Sequence, residues 1–135
     1  MYQTETCNIA ELFPNRFKCL PKGDNTAECV SYYSDGSKES SYSIANGVLH
    51  GIARTWHENG GLHSEERYVK NKLNGLRKEW FPNGQVKLEA FYRKGLLHGP
   101  SKSWDRNGTL LYFDQFSRNR LNGVCLEWFP NGVMK

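Results

Sequence analysis

Three series of residues step through this chain at an interval of 24 with no drift: Gly51, Gly75, Gly99 and Gly123; Trp56, Trp80, Trp104 and Trp128; and the pairs Asn59-Gly60, Asn83-Gly84, Asn107-Gly108 and Asn131-Gly132. All four tryptophans fall in one register. A fixed interval of this size is the mark of a tandem array, in which each copy is one supersecondary unit that buries its apolar surface against its neighbours. A weaker copy lies upstream, with Ala27 at the glycine position, Tyr32 at the tryptophan position and Asp35-Gly36 in place of Asn-Gly. Further upstream, Glu11-Leu12-Phe13-Pro14-Asn15 echoes Glu79-Trp80-Phe81-Pro82-Asn83, but at a spacing of 20 from the next copy. The units are therefore 27–50, 51–74, 75–98, 99–122 and a partial 123–135, preceded by an N-terminal cap or degenerate repeat over 1–26.

Each unit is long enough for two strands and two turns. In Phe81-Pro82-Asn83-Gly84-Gln85, Pro82 presets φ at the first turn position and Gly84 accepts a positive φ, which predicts a three-residue hairpin loop closed by a glycine bulge. Midway between these loops stand Gly47, Asn71, Gly95 and Asn119, the two residue types that enter the left-handed region most readily. Read as three-residue loops too, they give an all-β, elongated, twisted antiparallel meander of tandem β-hairpins. Its strands fall at 48–56, 61–69, 72–80, 85–92, 96–104, 109–116 and 120–128. The recurring glycines call for a reason inside a strand. Gly75 and Gly99 fall near Phe91 in this pairing, and an overlying ring is the expected cause.

Odd loop lengths keep even-numbered residues on one face. Trp80 is then expected opposite Val86, and Tyr92 opposite Leu96. The candidate aromatic face, as core or partner-binding surface, is Trp56, Tyr68, Trp80, Tyr92, Trp104, Tyr112 and Trp128. No amphipathic helix of useful length is available to cover it. The sheet must curl the face into a core of its own, pair it with a second copy, or hold a partner against it. The chain ends on Gly132-Val133-Met134-Lys135, the start of a strand, which leaves a candidate dimer edge at Cys125, Leu126, Trp128 and Val133.

The string Tyr92-x-x-Gly95-x-x-His98-Gly99, followed by Trp104-x-x-Asn107-Gly108-x-Leu110, resembles the MORN-repeat variant of bacterial antitoxin-like proteins and of repeat arrays in large DNA viruses and protists. The resemblance covers about residues 27–135. It implies a twisted sheet of hairpins made for protein interaction, a scaffold or an antitoxin-like binder, in some members dimerising through a terminal edge. It also implies, as the alternative, a peripheral membrane adaptor that binds anionic phospholipids. Unlike the better-known MORN pattern, this chain has 24 residues per unit and fewer glycines.

Other chemistries find little support. The net charge is +4, with basic residues interleaved with acidic ones and no basic run of the kind that marks nucleic-acid contact, so nucleic acid is not expected as a partner. Single-stranded binding on stacked aromatics has only Lys78 and Lys102 beside the tryptophans in its favour. Cys7, Cys19, Cys29 and Cys125 lie ten or more positions apart, and the first three have no histidine near them, so no metal site is expected. No apolar run is long enough to span a bilayer and no leader opens the chain. Free thiols and a cytoplasmic location (host cytoplasm or virion for a viral protein) follow as expectations. His50 and His98 alternate with Asn74 and Asn122 at one repeat position, which suits a shared hydrogen-bonding role and not a catalytic one. His57 and His63 read as surface residues, and Glu65 and Glu66 point to opposite faces. No nucleophile motif, catalytic residue or cofactor is expected.

Overall fold

The computed structural model describes residues 16–135. The echo at Glu11–Asn15 lies outside the described residues. Twelve strands follow one another: Phe17–Gly23 (β1), Thr26–Tyr32 (β2), Lys38–Ala45 (β3), Val48–Leu49 (β4), Gly51–Trp56 (β5), Leu62–Val69 (β6), Lys72–Leu73 (β7), Gly75–Trp80 (β8), Val86–Arg93 (β9), Leu96–Trp104 (β10), Leu110–Ser117 (β11) and Arg120–Glu127 (β12). They form one antiparallel sheet in the order β1-β2-β3-β5-β6-β8-β9-β10-β11-β12, with β4 pairing β3 and β7 pairing β6. This is the all-β meander of hairpins that the repeat predicts, and strand limits agree with the expected ones to within about a residue.

The two loop series differ. At the Asn-Gly loops, Phe81 N–H donates to Gln85 O at 2.8 Å and Gly84 N–H to Phe81 O at 2.9 Å. Gly84 takes φ 89°. This is the three-residue loop with its glycine bulge, and Trp80 pairs with Val86 as expected. The opposite turns hold two residues, not three. Ala45 pairs with Val48, Val69 with Lys72, Arg93 with Leu96, and Ser117 with Arg120. Both central residues take positive φ, as at Lys94 (50°) and Gly95 (85°), which is the type I′ turn that matches strand twist. Tyr92 therefore faces Leu97, not Leu96.

The glycines at the 24-residue interval sit where the ladder breaks. Gly51, Gly75, Gly99 and Gly123 take φ of 112°, 107°, 100° and 104°. L side chains rarely adopt this region, so backbone geometry is what requires glycine. A ring laid over the strand is not the cause: a Cβ at Gly99 would meet only Phe91 Cβ, at 3.7 Å, an ordinary contact. In the weaker first copy Ala27 stands at the glycine position and pairs with Ile44. The two glycines at 51 and 75 follow a split in the strand, into β4 and β5 and into β7 and β8, whereas β10 and β12 run through Gly99 and Gly123.

The ladder also corrects the single even-numbered face. Within one hairpin Gly75, Arg77 and Glu79 oppose Tyr92, Ala90 and Leu88, while Leu76 and Lys78 oppose Phe91 and Glu89. Even residues of β8 thus share a side with odd residues of β9. Tyr68, Tyr92 and Tyr112 lie opposite Gly51, Gly75 and Ser103, on the reverse side from Trp56, Trp80 and Trp104. Two causes add: a register shift beside each of these tryptophans, as between Glu79 and Trp80, changes the parity across the Asn-Gly hairpins, and the two-residue turns change it across the opposite ones.

Burial is concentrated on the tyrosine side. Phe17, Cys29 and Ile44 form a small core with Cys19 and Tyr42 packed against it, and Ala27, Ser64 and Ala90 are buried as well. Cys19 and Cys29 are direct cross-strand partners and form a disulfide. This corrects the expectation of free thiols: the hairpin register brings the two Cα atoms to 4.0 Å. Cys125 is free and exposed.

Candidate interaction surface

The tryptophan face is built from the strand ends next to the Asn-Gly loops. Lys78 Nζ lies 5.6 Å from the Trp80 ring centre and 3.1 Å from Glu89 Oε2, so it caps an indole and pairs across the strand at once. Lys38 stands over Trp56 and Lys102 over Phe113 in the same manner. Arg54 and Glu65 pair at 2.7 Å. Between these groups the face carries exposed apolar side chains: Ile52 at 40%, Leu76 at 41% and Phe91 at 41% exposure. Trp56, Trp80, Trp104 and Trp128 are half-buried.

The tyrosine face is polar at its centre. Tyr68 donates to Glu66 Oε2 at 2.8 Å. Arg77 lies 3.2 Å from Glu79 and 3.7 Å from Glu66, and its buried Nε has no hydrogen-bond partner. Desolvation draws the Arg77 pKa down, but Glu79, Tyr92 and Glu66 outweigh it and hold the guanidinium above its ordinary value. Desolvation, aided by the bond to Glu66, pushes Tyr68 up to about 12. These groups hold one another and offer no free nucleophile. The Cys125 thiol is raised by local desolvation and by Asp114, which keeps it protonated. Among the described residues, no group of His, Cys, Asp and Glu is placed to hold a metal ion, and no helix is long and apolar enough to cross a membrane.

Hydrogen bonds between successive units zip both edges of the ribbon. Along the Asn-Gly edge, Asn59 Nδ2 donates to Pro82 O at 2.8 Å and Asn83 Nδ2 to Arg106 O at 2.9 Å. Tyr33 donates to Trp56 O at 2.6 Å, and His57 Nε2 sits 2.9 Å from Trp80 O with its ring against His63. Along the other edge Asn71 Oδ1 accepts from Leu49 N–H while Asn71 N–H donates to Leu49 O, each at 2.8 Å. Asn119 repeats this with Leu97. The alternating His and Asn position has the bonding role expected of it: His50 Nδ1 accepts from Lys70 N–H and Asn74 Oδ1 from Lys94 N–H.

The residues of the terminal edge are placed unequally. Cys125 and Leu126 lie on β12 opposite Asp114 and Phe113. Trp128 is bridged by Met134, Val133 O accepts from Phe129 N–H, and Lys135 N–H donates to Glu127 O. The last residues thus cover the end of β12, which pairs only β11 among the described residues.

With this geometry in view, comparison with known proteins is informative. The sequence model for the MORN repeat variant matches residues 49–70 and 73–94, two tandem copies in the register of the hairpins above. Residues 49–94 thus carry two MORN-variant repeats. No curated protein sequence matches it. Among solved structures, TarM of S. aureus in complex with fondaparinux, alpha-GlcNAc-glycerol and UDP aligns over 88% of this chain and 23% of its own, with a TM-score of 0.45 and 10% identity. The GtfA/B complex aligns over 66% and 20%, at 0.38 and 12% identity. The chain thus spans under a quarter of these proteins, and scores this low carry no argument. MORN repeats are generally associated with binding proteins or membrane lipids.

Proposed function

We propose that this MORN-variant array is a non-catalytic protein-interaction module, a scaffold or antitoxin-like binder, that uses its tryptophan face. The observation that carries the reading is the row of exposed Ile52, Leu76 and Phe91 beside half-buried, lysine-capped tryptophans. An uncovered apolar strip rimmed by charge is the composition of a docking surface. Substituting Leu76→Thr and Phe91→Thr tests it, because these cross-strand partners are among the more exposed apolar groups of the face and threonine keeps the strand preference without placing like charges opposite each other. The expected result is loss of co-purifying protein from cell extract with an unchanged thermal midpoint. Capture of the same proteins by parent and double variant, at equal yield, removes the tryptophan face as the docking surface.

A second contact is proposed at β12, which pairs only β11 among the described residues: pairing with another copy of the chain. Sedimentation at micromolar concentration reads this directly, and a clean monomer rejects it.

A further inference from the structure

We propose that the cavity at the Asn-Gly edge, between the first two units, binds the ring of a neutral sugar. The cavity, of about 400 Å³, lies at the ends of β2, β3, β5 and β6, and its size is usual for a small-molecule site. Three kinds of side chain line it. Ser31, Ser40 and Thr55 offer hydroxyls, Tyr33 and Trp56 offer aromatic rings, and Glu39 and His63 offer planar polar groups. No lysine, arginine or aliphatic side chain is part of the lining. An anion would meet the Glu39 carboxylate and no cation. An apolar ligand would leave the hydroxyls without partners.

The sheet register independently marks this end of the array. Ser31, Ser40, Thr55 and Ser64 stand opposite one another across successive strands. They bond in pairs, Ser31 with Ser40 and Thr55 with Ser64, each at 2.6 Å. A hydroxyl has one proton to give and two lone pairs to accept with, so each pair keeps both donor and acceptor capacity for a ligand. Further along the same row stand Glu79, Leu88 and Tyr112, so the run of small hydroxyls is confined to the first two units. Glu39 lies 3.5 Å from Ser31 Oγ, a long contact, and enters no ion pair among the described residues. Its oxygens are therefore free to accept. The rings are positioned in advance: Tyr33 by its bond to Trp56 O at 2.6 Å, and His63 by its contact with His57, 4.4 Å between ring centres. A pyranose carries hydroxyls around its edge that both donate and accept, and its faces carry C–H groups that suit the negative face of an aromatic ring. The cavity holds the counterpart of each.

The proposal does not rest on protein docking at the tryptophan face. A sugar ring arrives either free or as the end of a glycan, and the two sources separate experimentally. The full chain is titrated by NMR with methyl glucoside, methyl galactoside and methyl N-acetylglucosaminide, with the linear trimer of whichever sugar binds, and with cyclohexanol. Saturable shifts of the Trp56 and His63 signals, with Trp104 unmoved, are expected for at least one glycoside. Equal affinity for glycoside and trimer identifies a free sugar; tighter binding of the trimer identifies a glycan end. Glu39→Ala is expected to weaken binding at least tenfold with an unchanged thermal midpoint, because Glu39 holds no ion pair in the fold. His63→Ala, on a different strand, serves as the second variant if the midpoint falls. The proposal is overturned if none of the three glycosides saturates the protein, if the shifts centre on residues outside the cavity, if cyclohexanol binds as tightly, or if the variants bind as well as the parent.

Discussion

At the residue scale, glycine and tyrosine carry the sharpest consequences. Gly99 has room for a methyl group, since the nearest atom to an added Cβ is Phe91 Cβ at 3.7 Å, but its φ of 100° is closed to L residues. Gly99→Ala is therefore expected to cost about 1–3 kcal/mol through backbone strain alone, read as a lower urea midpoint with an unchanged m-value. An unchanged midpoint would show that the register shift between Leu97 and Ser101 does not depend on glycine. Tyr68 gives a pH signature. Desolvation and the bond to Glu66 raise its folded pKa to about 12, whereas an unfolded tyrosine ionises near 10. The folded state keeps its phenolic proton longer, so this stabilisation is complete below pH 10 and is lost as the pH climbs from about 10 to 12. Phenolate absorbance should show Tyr68 ionising late, and Glu66→Gln should bring its titration down.

At the element scale, strand positions were legible because tryptophan, Asn-Gly and glycine mark the same points in every copy. Turn length was not. An Asn or Gly at 47, 71, 95 or 119 fits the end of a three-residue loop and the second position of a two-residue turn equally well. The distinction rests on the residue before it, and Lys70, Lys94 and Arg118 gave no sign of their positive φ. The misread turn and the unseen register shift at each Asn-Gly loop together moved Tyr68, Tyr92 and Tyr112 to the other side, while two parity changes per unit cancel and leave the tryptophans on a common one. Asn71 tests the stacking itself. Gly47 and Gly95 occupy the equivalent position without a side chain, so Asn71→Gly preserves the turn and removes only the acceptor for Leu49 N–H. The expected cost is about 0.5–1.5 kcal/mol, with faster amide exchange at Leu49 than at Leu97.

At the scale of the whole molecule, each strand makes its substantial contacts with its neighbours in the sheet, so stability is a sum of local terms and not a property of one shared core. The Cys19–Cys29 disulfide lies at one end of this chain of contacts, within the Phe17, Cys29 and Ile44 cluster, and closes a short loop of sequence separation 10. A loop of that size restricts the unfolded ensemble by about 2–3 kcal/mol. Reduction should loosen β1 and β2 and leave β8 to β10 as they were, because no packing runs from one to the other. Hydrogen exchange with and without dithiothreitol measures this peptide by peptide. Protection in the oxidised protein should be greatest over β5 to β10 and least over β12, where Leu121 and Val124 are exposed and only β11 supplies ladder bonds. On reduction it should fall over residues 17–32 alone. A uniform loss along all twelve strands would mean that the sheet unfolds as a single cooperative body, and that the edge hydrogen bonds between units transmit stability much further than their neighbours.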